Sequence, residues 1–374
     1  MIDSVSPLAV TEVVYSLQTG GSERIGADIA RHLSRRGADI SVCATHGGPG
    51  PVSDRLRRDR IPWCAAGGES ENRYQRAWRV YRHLHSTGCR ILHAHHFNML
   101  AVSYAPARLA GVGRIVVTEH SDYLMKSDPD TLRRARKYAK RADHVTVVHA
   151  GLKDFVCEHL NLPEGMVSVV PNGVDTEFFS PGPRGQLELP VPADDGLPVR
   201  LCIVGRLHPD KDHLNLLKAV AELKSRDVGR FQVFVVGDGP EMEDLREHIG
   251  RLSLTDSVVM LGDRQDVRNL LREMDVFVLS SRTEGLPVAL LEAMSCGLPC
   301  VATDVGGVAA VLSGGGGLVV PRKDPPALCE ALARMIQDED LRRRKGDAAR
   351  RSARDRFDRA AMFDEYERIL FARD

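Results

Sequence analysis

The chain has 374 residues, of which 43% are hydrophobic and 27% charged, and its 51 Lys and Arg residues balance 51 Asp and Glu residues. This length exceeds what one ordinary hydrophobic core supports, so two domains of roughly 180 residues each are expected. The composition argues against a disordered chain, and no apolar run approaches the roughly 18 residues of a membrane span. Because residues 1–10 lack the pattern of a secretion signal, we expect a cytoplasmic, non-spanning protein.

Charge is distributed unevenly in the first half. Residues 55–141 hold 18 Lys and Arg residues against 7 Asp and Glu residues. Such a basic face suits nucleic acid, an anionic membrane surface, an anionic acceptor or plain solvation. Few aromatic residues are interleaved with the basic ones, which disfavours single-stranded nucleic acid. We therefore expect no nucleic acid, and a peripheral contact between residues 55–141 and the inner face of a membrane.

Short apolar runs alternate with amphipathic stretches through the first half, which is typical of a parallel sheet covered by helices. This alternation predicts an α/β domain over residues 1–180. The strands are predicted at residues 9–17, 40–44, 91–94, 114–118 and 144–148, and the helices at 23–36, 74–85 and 131–141.

The same rhythm restarts after a Pro- and Gly-rich stretch, which predicts a linker at residues 181–198. A second doubly wound domain is expected over residues 199–355, and a final helix over residues 356–374 is expected to cross back to the first domain. The predicted strands are residues 199–204, 231–236, 257–261, 276–279, 299–302 and 317–319. Two such lobes imply a cleft between them.

Two glycine-containing turns have the pattern of phosphate sites. Gly20 and Gly21 stand between an apolar strand and a helix, where free backbone N–H groups and the helix dipole favour an anion. Packing alone also places glycine in such turns. Gly205 is followed by Arg206 and Lys211 after a strand, and two cations at that edge of an open sheet suit a diphosphate leaving group. The alternative interpretation is surface charge near a helix end.

The most specific segment is residues 280–299, which predicts strand, loop, helix and stop. Pro287 fits the first helical position and Gly297 fits the stop, so Glu284 lies in the loop and Glu292 inside the helix. The backbone N–H groups around Gly285, Leu286 and Pro287 are expected to face a phosphate. An acidic residue in an apolar helix needs a partner, for which ribose hydroxyls are suitable. The alternatives without a ligand are that Glu284 is an exposed capping carboxylate and that Glu292 is a residue of the helix surface.

Histidines mark the ends of two first-domain strands. His120 follows one strand, at the edge where ligands bind in open α/β sheets. His93, His95 and His96 invite a metal interpretation. Because successive residues of a strand point to opposite faces, and no carboxylate or cysteine stands at ligand spacing, we expect no metal and no cofactor.

Together these residues resemble the family 4 glycosyltransferases over essentially the whole chain. The most specific piece is Glu284–x7–Glu292 within SSRTEGLPVALLEAMSCGLPCVATDVGG. The other matching motifs are Gly20-Gly21-Ser22-Glu23, His95 in HAHH, His120 in VTEHSD, Pro171-Asn172-Gly173-Val174-Asp175, Gly205-Arg206 with Lys211, and Gly237-Asp238-Gly239-Pro240. The resemblance implies the GT-B fold, in which two Rossmann-like domains face each other across a cleft.

The resemblance also implies site roles. Arg206 and Lys211 are expected to bind the donor diphosphate, Gly21 to approach its distal phosphate, and Glu292 to hold the ribose. Glu284 and His120 are expected near the sugar and the reaction centre. Arg264 occupies a loop that lies beside the nucleobase in similar enzymes, where a guanidinium can stack.

The implied activity is retaining, metal-independent transfer of a hexose from a nucleotide sugar, with UDP favoured and GDP considered. The acceptor is expected to be a glycan, a lipid-linked sugar or a small molecule, in polysaccharide or glycoconjugate biosynthesis. A nucleotide-sugar epimerase of GT-B architecture and an inactive sugar-nucleotide-binding subunit are the alternatives.

Overall fold

A computed structural model of the chain describes residues 8–18, 20–68, 72–189, 198–226 and 228–372. The chain forms two compact units: unit 1 comprises Met1–Asn172 with Ala360–Asp374, and unit 2 comprises Gly173–Arg359. Among the described residues, no helix combines the length and hydropathy that crossing a membrane requires.

Unit 1 is built on a seven-stranded parallel sheet with the strand order β3-β2-β1-β4-β5-β6-β7. Its strands are β1 Val10–Val14, β2 Ile40–Ala44, β3 Trp63–Ala65, β4 Ile91–His95, β5 Arg114–Glu119, β6 His144–Val147 and β7 Val167–Val169. Its helices are α1 Gly21–Arg35, α2 Pro51–Arg58, α3 Arg73–Ser86, α4 Phe97–Leu109, α5 Tyr123–Ser127, α6 Pro129–Ala139 and α7 Ala150–Leu160.

Unit 2 is built on a six-stranded parallel sheet with the strand order β10-β9-β8-β11-β12-β13. Its strands are β8 Val199–Val204, β9 Phe231–Val236, β10 Val258–Gly262, β11 Val276–Leu279, β12 Cys300–Thr303 and β13 Gly317–Val320. Its helices are α8 His213–Ser225, α9 Met242–Arg251, α10 Val267–Arg272, α11 Val288–Ser295, α12 Val308–Leu312, α13 Pro325–Gln337 and α14 Glu339–Arg356.

The last helix, α15 Arg359–Leu370, packs against the sheet of unit 1. Its Tyr366 is 1% exposed, and the ring lies 5.2 Å from that of His93. The start of the predicted linker lies against unit 2 instead, because the Arg184 guanidinium donates to the Met274 carbonyl (2.9 Å) and to Asp275 (2.8 Å). The rest of that linker, residues 190–197, is outside the described residues.

Both sheets are covered on two faces, so their strands are nearly continuous runs of buried apolar residues. In each sheet the strand order reverses once, between β1 and β4 in unit 1 and between β8 and β11 in unit 2. Loops that leave neighbouring strands in opposite directions open a crevice at the carboxyl ends, where ligands of such sheets bind. The architecture therefore points to the loops after these four strands.

The α/β class with doubly wound parallel sheets, predicted from sequence, is confirmed. Two edge strands, β3 and β7, were not predicted; each has three residues, too few to show a period of two. Helix α11 begins at Val288 with Pro287 as its N-cap, one residue later than predicted, because Pro287 has an extended ψ of 119°. Gly297 follows the helix with φ +84°, as the predicted stop requires.

Candidate functional site

The loops after β8 and β11 bring two predicted residues of unit 2 together. Lys211 Nζ donates to Glu284 Oε1 at 2.5 Å, and Ser281 Oγ donates to the same oxygen at 2.7 Å. The Ser280 hydroxyl donates to the Lys211 carbonyl at 2.9 Å. Because the Lys211 and Glu284 side chains are only 26% and 10% exposed, this ion pair is shielded and ordered.

Arg206 lies in the same loop as Lys211 but is exposed, and among the described residues it has no hydrogen-bond or ion-pair partner. The tight approach of the loops after β8 and β9 depends on glycine. At Gly237, with φ +136°, an added Cβ would lie 1.9 Å from the Gly205 carbonyl oxygen. Gly205 itself lies against Lys211, because an added Cβ there would be 3.7 Å from Lys211 Cε. The exposed Arg206 is the next residue of this loop, at the carboxyl edge of the sheet.

A second ion pair at this edge was not predicted from sequence. The Arg282 guanidinium binds Asp212 in a two-pronged arrangement, with Nε 2.8 Å from Oδ2 and Nη2 2.9 Å from Oδ1. Asp212 itself is 5% exposed and has the left-handed φ of +46°. The pair joins the loop after β11 to the start of α8. The charged run Asp210-Lys211-Asp212 marks this loop in the sequence, but nothing in the sequence identifies Arg282 as the partner of Asp212.

The backbone that carries Glu284 is held by a glycine turn further along the chain. Gly307 N–H donates to the Gly285 carbonyl at 2.8 Å. At Gly306, with φ +54°, an added Cβ would lie 2.2 Å from the Glu284 carbonyl oxygen and 2.6 Å from that of Gly285. Leu286 is 6% exposed and anchors the loop just before Pro287, the N-cap of α11. The turn at Gly306 therefore fixes where the Glu284 loop lies.

Glu292 lies inside α11, as predicted, and is 3% exposed. Its neighbours Leu291 and Ala293 are fully buried. The alternative that Glu292 is a helix-surface residue is therefore wrong, and this carboxylate belongs to the interior polar groups of unit 2.

Arg264 follows β10, the outermost strand on its side of the sheet. Its guanidinium is matched to Asp266, with Nε 2.8 Å from Oδ1 and Nη2 2.6 Å from Oδ2. This hydrogen bonding raises the Arg264 pKa further above its usual value. The pair holds the guanidinium plane in one orientation.

In unit 1, the glycine turn after β1 opens helix α1, which begins at Gly21 with Gly20 as its N-cap. The Glu23 carboxylate folds back over the turn, so an added Cβ at Gly20 would lie 2.2 Å from Glu23 Oε2, while a Cβ at Gly21 would meet no atom of the described residues within 4 Å. The Ser22 hydroxyl donates to the same carboxylate at 2.9 Å. The helix start is therefore open at Gly21 and closed by a carboxylate at Gly20.

Beside this turn, Glu12, His95 and His120 form a buried hydrogen-bonded series. His95 Nε2 lies 2.8 Å from Glu12 Oε2, and His95 Nδ1 lies 2.9 Å from His120 Nε2. Burial alone would raise the Glu12 pKa, but His93 and His95 outweigh it, so the pKa is lowered. Burial lowers the pKa of His95 to about 4 and that of His120 well below its usual value. Glu12 is thus ionised and both histidines are neutral.

The structure corrects one argument about metal. His93 and His95 are two residues apart on β4 and share a face, and Glu12 lies opposite His93 on the neighbouring strand β1. The statement that no carboxylate stands at ligand spacing is wrong, because these three residues present ligand-type atoms within 4.8 Å of one another. The space is closely packed, however: an added Cβ at Gly26 would lie 2.9 Å from His95 Nε2. The three groups are instead close enough to bind one another.

His96 belongs to a separate pair with Glu119, whose Oε1 lies 2.6 Å from His96 Nδ1. Burial would lower the His96 pKa, but the neighbouring Glu119 charge prevails and raises it. Glu119 also accepts from the backbone N–H groups of Phe97 (3.1 Å) and His120 (3.0 Å). This carboxylate therefore organises the loops after β4 and β5 and fixes the backbone at His120.

Comparisons with known proteins match this chain to glycosyltransferases. The model of the family described as "Glycosyltransferase Family 4" matches residues 19–178, and that of "Glycosyl transferases group 1" matches residues 198–338. The alpha-D-kanosaminyltransferase of Streptomyces kanamyceticus is 30% identical over 70% of this chain and 72% of its own length. The chain belongs to the family 4 glycosyltransferases. It is also 27% identical, over 90% of both chains, to the Escherichia coli UDP-Gal:alpha-D-GlcNAc-diphosphoundecaprenol alpha-1,3-galactosyltransferase.

The fold of this glycosyltransferase is the predicted GT-B fold. The crystal structure of Anabaena HepE in complex with UDP-glucose superposes with a TM-score of 0.85, over 97% of this chain and 99% of the other, at 22% identity. WaaG, a glycosyltransferase of lipopolysaccharide biosynthesis, superposes with a TM-score of 0.73 over 97% of this chain. The family and the GT-B architecture that the motifs predicted are thus confirmed.

Proposed function

We propose that this glycosyltransferase is a retaining hexosyltransferase that moves a sugar from a nucleoside-diphosphate sugar to a glycan, lipid-linked or small-molecule acceptor. The observation that carries the proposal is the shielded Lys211–Glu284 pair in the loops at the strand reversal of unit 2, with the exposed Arg206 in the same loop as Lys211. UDP-sugars are favoured over GDP-sugars, because the Escherichia coli relative is named for a UDP-sugar and HepE was crystallised with UDP-glucose. Biosynthesis of a polysaccharide or glycoconjugate is the role this chemistry fits.

Arg206 and Lys211 are proposed to bind the donor diphosphate, with unit 2 as the donor domain. Departure of a nucleoside diphosphate adds negative charge to the leaving oxygen, and a guanidinium can donate two charge-assisted hydrogen bonds to such a group. Lys211 differs from Arg206 in already having a carboxylate partner. We infer that Arg206 supplies most of the net positive charge, while Lys211 holds Glu284 in position.

The remaining donor contacts follow from the same edge of unit 2. Glu284 Oε1 is engaged by Lys211 and Ser281, which directs the carboxylate toward sugar hydroxyls on its open side. Backbone N–H groups at Gly285 and Leu286, before Pro287, are proposed to face the phosphates. Further proposed contacts are Gly205 with the phosphates, Glu292 with the ribose hydroxyls and Arg264 with the nucleobase.

Unit 1 is proposed as the acceptor-side domain. The open N-terminus of α1 at Gly21 suits an approach to a phosphate oxygen, because no side chain of the described part of the chain lies within 4 Å of where a Cβ at Gly21 would be. His120 is neutral and hydrogen-bonded through Nε2, so its Nδ1 lone pair is available to accept from a sugar hydroxyl. We assign His120 a catalytic role on that basis.

The proposed transfer needs no metal ion. Protein cations take the place of a divalent ion when the diphosphate leaves, and Arg206 is such a cation. Asp212, in the acidic run beside Lys211, is occupied by Arg282 and therefore contributes no open ligand. Activity measured after EDTA treatment is expected to equal that of untreated enzyme. Loss of transfer in EDTA with recovery in Mn²⁺ would overturn metal independence.

The experiment that tests the function has two stages. UDP-, GDP-, ADP- and CMP-sugars are screened by thermal shift, because a ligand that binds only the folded state raises the melting temperature. The best donor is then followed for transfer by wild type and Arg206→Ala. Loss of the exposed Arg206 should leave folding intact and lower turnover by roughly 10²- to 10³-fold.

Arg246→Ala is the matched control, because Arg246 is an exposed arginine of unit 2 that forms an ion pair with Glu243 on its own helix. It should retain wild-type turnover. Near-normal turnover of Arg206→Ala would contradict the phosphate assignment. An altered sugar nucleotide without transfer to any acceptor would favour the epimerase alternative, and donor binding without any chemistry would favour an inactive subunit.

We also propose a peripheral membrane contact through helix α3 of unit 1. Tyr74 and Trp78 are 68% and 58% exposed on a helix that also presents Arg73, Arg79 and Arg82 to solvent. Aromatic side chains among arginines suit the interface of an anionic membrane. Co-sedimentation with anionic phospholipid vesicles should weaken with salt and with Trp78→Ala, whereas Leu109→Ala, at an apolar residue of α4 that is 77% exposed, should not change it. Absence of binding at low salt would refute this contact.

A further inference from the structure

Two cysteines of unit 1 lie side by side on neighbouring strands. Cys43 of β2 and Cys64 of β3 are registered partners in the parallel ladder, and their sulfur atoms are 3.0 Å apart. Registered partners on adjacent strands have Cα atoms about 5 Å apart, which lies within the range that a disulfide spans. A rotation of either side chain therefore brings the sulfurs to bonding distance without moving the backbone.

The surroundings make the two thiols unlike each other. The hydrogen bond with Cys43, together with His83 and the charge of Arg79, lowers the pKa of Cys64 to about 5 against the effect of its burial. Cys43 is fully buried, and its hydrogen bond with Cys64 and its burial raise its pKa well above the usual value. Cys64 is half-buried on the edge strand β3. Because Cys64 is the less buried of the two and lies at the edge of the sheet, a peroxide reaches its sulfur first. Cys64 is therefore the attacking sulfur, in agreement with its lowered pKa, and Cys43 is the neighbouring thiol in contact with it.

We propose that Cys64 and Cys43 form a reversible oxidation site that reacts with hydroperoxides. The Cys64 thiolate attacks the peroxide oxygen, and the O–O bond breaks, which yields the sulfenic acid and hydroxide or an alkoxide. The Cys43 sulfur then attacks Cys64 and gives up its proton, an S–S bond forms, and the hydroxyl group leaves as water. Two electrons pass from the thiols to the peroxide, and an external dithiol reverses the step by thiol–disulfide exchange.

The other half-buried cysteine provides an internal comparison. Cys157 of α7 is also free and half-buried, but burial raises its pKa. Cys157 lies nearer the surface than Cys64, so access alone would favour oxidation of Cys157, whereas the lowered pKa of Cys64 favours reaction at Cys64 near neutral pH. The disulfide would also tie the short edge strand β3 to β2, closing a span of 21 residues.

The test uses full-length protein treated with hydrogen peroxide after removal of reductant. Remaining thiols are alkylated under denaturing conditions, and peptides are mapped by mass spectrometry. We expect a Cys43–Cys64 cross-link that disappears with dithiothreitol, while Cys157 is still alkylated at the peroxide dose that cross-links half of the protein. Equal loss of Cys157, or no Cys43–Cys64 cross-link in wild type, would overturn the proposal, and neither result depends on a variant.

Two variants assign the order of the steps. Cys43→Ser should accumulate a sulfenic acid at Cys64 that dimedone traps, since the resolving thiol is missing. Cys64→Ser should leave Cys43 unmodified at the same dose, because a buried protonated thiol is a poor nucleophile. Sulfenic acid at Cys43 in Cys64→Ser would reverse the assignment.

Discussion

Only one assignment of protons to the ring nitrogens of His95 and His120 is compatible with the hydrogen bonds that join them to Glu12. The ionised Glu12 carboxylate only accepts, so His95 must carry its proton on Nε2. Its Nδ1 then accepts from His120 Nε2–H, which leaves His120 Nδ1 with a lone pair. Glu12 is therefore a positioning residue, because through His95 it decides which nitrogen of His120 is free to accept.

Replacement of Glu12 by Gln should remove the preference for these His95 and His120 tautomers, because an amide can either accept a hydrogen bond from His95 or donate one to it. We expect kcat to fall by about 10- to 100-fold, the range seen when the group that orients a histidine is removed from a metal site. KM for the donor should change little, since unit 2 is untouched. The checks are steady-state kinetics and ¹⁵N NMR of labelled histidine, in which the wild-type His120 should be the Nε2–H tautomer.

Thr11→Val is the control, because Thr11 directly precedes Glu12 on β1 and is also fully buried. The variant loses the hydrogen bond between Thr11 and Ser41, which lies outside the histidine series. It should keep wild-type kcat and the His120 tautomer. A His120 protonated on Nδ1 in the wild-type enzyme would contradict the proposed order even if the variants failed to fold.

The positions of single site residues were predictable where a local motif in the sequence marks the start or end of an element. Pro287 and Gly297 bracket a helix, so the loop position of Glu284 and the helix position of Glu292 were predictable. The pairs Glu12–His95, Lys211–Glu284 and Asp212–Arg282 were not. Each joins residues on separate strands or loops, and one sequence carries no record of which strands are neighbours.

At the scale of elements, the Glu284 loop depends on the turn before α12. Gly306 has φ +54°, and the Glu284 and Gly285 carbonyls pass directly over it. Any side chain there would push the loop away from the Lys211 side of the sheet. The turn therefore sets the position of the loop that carries the proposed sugar contact.

Gly306→Ala should consequently weaken donor binding through the loop. We expect the free energy of unfolding to fall by about 1–2 kcal/mol from the left-handed backbone alone, with a further loss from the clash. The Kd for the best nucleotide sugar, measured by calorimetry, should rise at least tenfold.

Gly315→Ala is the matched variant for that measurement. Gly315 also has a positive φ, +88°, but the nearest atom to an added Cβ is an alanine side chain at 3.7 Å. Gly315→Ala should lower the free energy of unfolding by the cost of its left-handed backbone, without any change in the Kd for the nucleotide sugar. Equal Kd changes in both variants would show that destabilisation, and not loop displacement, is responsible.

Strands with long apolar runs were predicted almost to the residue, as β2, β8, β9 and β11 illustrate. Such runs arise because a parallel strand is buried on both faces. The three-residue strands β3 and β7 lie at the edge of their sheet and carry too little pattern. For that reason the Cys43–Cys64 neighbourhood was also invisible in sequence.

At the scale of the whole chain, unit 1 is completed by residues from both ends of the sequence. Helix α15 supplies Tyr366, which fills the space beside His93, and its hydroxyl lies 3.3 Å from Thr118 Oγ1. Burial raises the pKa of Tyr366 to about 12. The sequence shows apolar positions at helical spacing in this segment, but the periodicity alone does not say which sheet they cover.

Tyr366→Ala should therefore destabilise unit 1 and leave unit 2 intact. Truncating a buried aromatic side chain costs about 3–5 kcal/mol, because the cavity left behind relaxes only in part. Hydrogen exchange followed by mass spectrometry should show faster exchange in β4 and β5 of unit 1, with β8 and β11 of unit 2 unchanged. Tyr366→Phe keeps the ring and loses the hydroxyl contacts with Thr118 and Thr146, so its cost should be about 1 kcal/mol. Faster exchange in β8 and β11 of Tyr366→Ala would mean that the two units unfold together, and α15 would then stabilise the whole chain and not unit 1 alone.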